Sequence, residues 1–163
     1  MAVASVEMCP GKPDSGTQAA WAKIDAYPLD HVRQHLVRKG MEESAADDSV
    51  AELRKFFKLI ALGHQSLAMA SEAVDEAWHT FILFTLDYSR FCDHVFGRFV
   101  HHNPFIPGDA RDPQGAAVRF REAYTMAFGE PPATWRQPAR CDPDCEGCSG
   151  TVDPATAQST SIS

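Results

Sequence analysis

No stretch of the 163-residue chain is apolar for long enough to cross a bilayer, and the N-terminal MAVASVEMCPGKPDSGT lacks the basic start and apolar run of a secretory signal. These absences predict a cytoplasmic protein and set membranes aside as partners. Long basic runs are missing too, and 15 Lys and Arg against 22 Asp and Glu leave a formal net charge of -7. That balance opposes broad attraction to a phosphate backbone, so nucleic acid is not an expected partner. Nowhere do apolar and polar residues alternate long enough to argue for a sheet. There is no phosphate-cradling glycine loop, dinucleotide fingerprint or nucleophile motif to name a reaction, and no internal repeat.

What the chain does have is apolar material for one core, at 44% hydrophobic residues. That material is unevenly spread. Residues 1–16, punctuated by Pro10, Gly11, Pro13 and Gly16, and residues 137–163 contain few large apolar side chains and bury too little to offset ordering. The expected organisation is a flexible lead (1–16), a helical domain (17–136) and a flexible cysteine-bearing tail (137–163).

Within the domain the apolar period is helical. QAAWAKIDAY forms a first helix that stops before Pro28; Leu29, Val32 and Leu36 stripe a second, closed by Gly40. A third runs from about Ser49 to Leu62, capped by Asp47 or Asp48 and ended by Gly63. Ser71 caps a fourth from Glu72 to about Phe84, Thr85 caps a fifth that ends at Gly97, and Asp112-Pro113 starts a sixth that stops at Gly129. The predicted fold is all-α, a compact bundle of about six helices.

Chemistry concentrates in VDEAWHTFILFTLDYSRFC, residues 74–92. Asp75 and His79 stand one turn apart, just beyond the apolar arc of Val74, Ala77, Trp78 and Phe81. Phe81 to Phe84 are apolar on every side of the helix, which predicts that this turn is surrounded and that His79, one turn before Leu83, is covered. Asp75 and His79 are then either a satisfied buried pair or the beginning of a metal site, with the acid as ligand or as the group orienting a ligating imidazole.

His101 and His102 lie in an extended piece, where neighbouring side chains point to opposite sides and one of the two faces inward. Cys92 sits amid Tyr88, Phe91, Val95 and Phe96, as a core residue or as a further ligand. His31 and His35 fall off the second helix's apolar stripe and predict a solvated face. His94 belongs to a charged side, and His64, just past Gly63, suits a C-terminal cap.

Five cysteines in a reducing compartment speak for metal or redox chemistry. Cys141, Cys145 and Cys148 have the C-x3-C-x2-C spacing that resembles the iron-sulfur signature of radical S-adenosylmethionine enzymes. The context disagrees, because no strands precede the motif to build such a barrel. Three thiols on a Pro/Gly backbone still suit a soft metal or redox site, with a fourth ligand from Cys9, a histidine or another molecule.

The run VDEAWHTFIL, with Tyr88, Phe91-Cys92, Phe96-Gly97 and His101-His102-Asn103-Pro104, resembles the bacterial short members of the glycine-rich domain-containing protein-like group. This resemblance covers about Ala51 to Pro104, with weaker similarity to the end of the sixth helix. It implies an α-helical domain and singles out Asp75, Trp78, His79, Tyr88, Cys92, His101 and His102, without an activity, substrate or cofactor.

The leading functional expectation is a small metal-binding protein with Asp75, His79, Cys92 and His101 or His102 about one ion. Zinc is the default for mixed ligands, and a thiol would also admit copper(I) or iron. Two other classes stand beside it. One is an adaptor in which Asp75 and His79 are structural and the tail reaches a protein partner; the other is a metal-dependent enzyme using Asp75 or Tyr88 as acid or base.

Overall fold

The computed structural model of the chain describes residues 14–103 and 112–135. Six α-helices follow one another there, α1 Ser15–Ala26, α2 Asp30–Arg38, α3 Glu43–Ala61, α4 Glu72–Leu83, α5 Thr85–Phe96 and α6 Pro113–Phe128, and a single 3-10 turn, Ala133–Trp135, closes the series. No strand occurs among the described residues. The all-α bundle predicted from periodicity is the observed fold. No described helix is long and apolar enough to cross a membrane.

Capping chemistry explains the boundaries, including those that differ from expectation. The Asp14 carboxylate accepts from Thr17 N at 2.7 Å, so α1 begins ahead of Gln18. α3 begins at Glu43 and not near Ser49, because Glu42 supplies the cap by accepting from Ala45 N at 3.1 Å. Asp47 is then free to bond Arg33 of α2. Ser71 caps α4 through Val74 N at 3.4 Å, as expected. The break between α4 and α5 also falls where predicted, at Phe84 with φ -81° and ψ 61°, but no side chain caps α5 and Thr85 is its first residue. Gly97, at φ 63°, ends α5 in a left-handed conformation that side chains with a Cβ resist.

α3 is the axis of the bundle, packing against α1, α2, α4 and α6. Its Phe57 is fully buried among Phe91, Trp78, Phe96 and Phe81, with ring centroids 4.9 to 6.5 Å away. The same helix makes two polar ties. Arg54 donates to the carbonyls of Ile24 and, at 2.7 Å, Tyr27, satisfying the end of α1. Glu52, 5% exposed, accepts from Tyr124 Oη at 2.6 Å, Trp135 Nε1 at 2.6 Å and Lys55 Nζ at 2.7 Å. That carboxylate joins α6 and the final turn to the bundle.

Glu52→Ala strands two buried donors and should cost about 3 kcal/mol in urea unfolding, whereas Glu52→Gln, which keeps an acceptor, should cost less than half of that. Burial pushes the Tyr27 and Tyr124 hydroxyls up to about 12, aided by hydrogen bonds to Asp87 and Glu52, and pushes Tyr88 up as well. Unfolded tyrosines ionise near 10, so the unfolded state loses protons first as pH rises. Thermal midpoints should therefore fall between pH 10 and 12, and the fall should be shallower in the Tyr27→Phe, Tyr124→Phe double variant.

Candidate metal centre

The site is assembled from one helix and one irregular segment. On α4, the Ser71 cap sets the helix start, and Asp75 in its first turn places a carboxylate where the helix dipole favours negative charge. His79 follows one turn later, its Nδ1 3.3 Å from Asp75 Oδ2. His102 arrives from the segment after α5 and sets Nε2 2.7 Å from Asp75 Oδ1. One ligand atom from each of the three residues lies within 4.8 Å of the others.

A buried relay holds that segment in place. Trp78 Nε1 donates to Tyr88 Oη at 3.1 Å, and the Tyr88 hydroxyl donates to the Val100 carbonyl at 2.5 Å. The indole therefore satisfies its own N–H while fixing the backbone two residues before His102. The His102 ring then packs edge-on to Trp78 at 4.4 Å and lies 4.5 Å from the His79 ring. Exposure rises across the cluster, from 9% for the His102 side chain through 31% for Asp75 to 47% for His79.

An ionised carboxylate only accepts, so the His102 Nε2 that hydrogen-bonds Asp75 carries a proton, while His79 Nδ1 lies within ion-pair distance of the same carboxylate without a hydrogen bond. To ligate an ion through those nitrogens, each ring must present a lone pair and carry its proton on the other nitrogen. The three residues form a donor set of two nitrogens and one carboxylate, open to solvent on the His79 side.

Other expected residues fall elsewhere. His102 is the inward-facing member of its pair, while His101 is exposed with its ring 4.9 Å from Phe99, outside the cluster. Cys92 is 1% exposed in the core; burial pushes its thiol up, and it lies against the Tyr88 hydroxyl and the Val100 backbone. It is not a ligand of this cluster. The covering of His79 does not occur either, because Leu83, one turn on, is itself 67% exposed.

His31 and His35 are half-buried, edge-on to Phe84 at 4.7 and 5.9 Å, because α2 packs on α4. His31 Nε2 also lies 3.0 Å from Asp87 Oδ2, though the two are not aligned for a hydrogen bond. His64 closes α3 through its backbone, N to Leu59 O at 3.3 Å. The cysteines expected as a second site, Cys141, Cys145 and Cys148, and Cys9 with them, lie outside the described residues.

A groove of about 1060 Å3 opens beside the cluster, with Asp75 and His102 in its wall and Phe56, Ile60, Leu67 and Met69 as apolar lining. Arg98 and Arg119 also line it. Neither arginine stands out in the local sequence, since their common placement depends on how α6 docks beside the segment after α5.

The position of Cys92 yields a direct test. In a variant with Cys9, Cys141, Cys145 and Cys148 replaced by Ser, native protein at pH 8 should remain unlabelled by a disulfide reagent and react fully once unfolded. Labelling of the native protein within minutes would contradict the buried placement.

No curated protein and no solved structure matches the chain. A family model does match, that of UCP032817-like proteins, over residues 20–140. This corrects the resemblance to the glycine-rich domain-containing protein-like group, which rested mainly on residues 51–104, whereas the match takes in all six helices from within α1 onward. By that match, the chain belongs to the UCP032817-like family.

Proposed function

We propose that this small helical protein binds a divalent transition-metal ion through Asp75, His79 and His102. One observation carries the proposal: ligand atoms from residues 27 positions apart come together within 4.8 Å, two of them already on the carboxylate of the third. Two imidazoles and a carboxylate suit zinc with a position left open, and the same set suits iron(II) with several. With Cys92 in the core the set lacks a thiolate, which removes the reason to favour copper(I). Zinc remains the first choice.

Untagged protein should bind zinc with a Kd of about 1 μM or tighter, and His79→Ala, His102→Ala and Asp75→Asn should each weaken it about 100-fold, roughly 2.7 kcal/mol. Isothermal titration measures the affinity, and unchanged helicity by circular dichroism shows that the variants fold. A folded wild-type protein with no zinc, iron(II) or cobalt(II) affinity would rule the proposal out.

A further inference from the structure

We propose that the groove beside the metal centre binds an organic carboxylate with an apolar body, its head held by the ion together with Arg98 and Arg119 and its body laid on Phe56, Ile60, Leu67 and Met69. This rests on the metal-binding reading of Asp75, His79 and His102. Three protein ligands leave at least one coordination position free, and two of the three, Asp75 and His102, are part of the groove wall. A molecule in the groove therefore meets the ion directly.

Charge selects the head group. Among the described residues, the groove is lined by three acids, Glu72, Asp75 and Asp112, against two arginines, Arg98 and Arg119. A divalent ion reverses that balance. Asp112 is occupied in capping α6, accepting from Gly115 N at 2.9 Å. Arg98 makes no hydrogen bond or ion pair with another described residue, and Arg119 spends one nitrogen on the Ser66 carbonyl at 3.3 Å, so both retain donors for a carboxylate.

Size and lining select the body. About 1060 Å3 is far more than a bare anion fills and lies at the upper end for small-molecule sites, and the four apolar side chains would gain nothing from a purely polar ligand. Anion binding should thus require the ion and the apolar chain together.

The test uses the full chain loaded with cobalt(II), whose visible bands report on its ligands, and octanoate as the probe. Octanoate should shift those bands saturably and release heat in isothermal titration, while metal-free protein should bind it at least about 10-fold more weakly. Arg98→Ala and Arg119→Ala should each weaken octanoate about 10-fold and leave cobalt affinity unchanged.

Acetate, which has the head alone, and octanol, which has the body alone, should each bind at least about 10-fold more weakly than octanoate. Acetate binding as well as octanoate would show that the groove takes no part; octanol binding as well would show that the charge does not. Either result overturns the inference, as does a cobalt spectrum that octanoate leaves unchanged, and in all three cases the metal site stands. Failure to form the cobalt spectrum at all removes both proposals.

Discussion

The hydroxyl of Tyr88, held between the Trp78 indole and the Val100 carbonyl, is the contact on which the candidate site depends. All three groups are buried, and none can be left unpaired without losing a hydrogen bond that water would otherwise have supplied. By meeting these demands together the relay joins α4, α5 and the chain beyond Gly97 at one point. His102 lies two residues further on, so its approach to Asp75 follows from a constraint that exists to bury an indole and a phenol.

The resulting site combines rigidity with access. Asp75 and His79 ride on a capped helix that packs against α2, α3 and α5, while His102 is held by the edge of Trp78. The rise in exposure from His102 to His79 leaves the cluster open to solvent on one side, and the groove lies on its Asp75 and His102 side. Cys92, which shares its neighbours with the relay, is thereby kept in the core and away from the donor set.

Much of the fold was legible because caps and stops are local. Ser71, Gly97 and Asp112 act where their chemistry places them, and the helix break at Phe84 was visible in the sequence although its cap at Thr85 was not the means. Where several acids compete, locality is insufficient: Glu42, Asp47 and Asp48 all suit the start of α3, and the pairing of Asp47 with Arg33 on another helix is invisible in the linear order. The apolar turn Phe81 to Phe84 misled for the opposite reason. Composition suggests that it is surrounded, yet none of the helices packed on α4 covers Leu83, and the imidazole one turn before it meets solvent.

The sequence by itself determined the six helices, the shared face of Asp75 and His79 and the rule that only one of His101 and His102 can turn inward, since each follows from backbone periodicity. Only the tertiary structure decided that His102 is that residue, that it meets the same carboxylate as His79, that Cys92 is excluded and that Arg98 and Arg119 share a groove with the cluster. Those outcomes depend on contacts between residues far apart in the chain, and such contacts are chosen by the packing of whole helices and by the pairing of buried polar groups, neither of which leaves a local pattern.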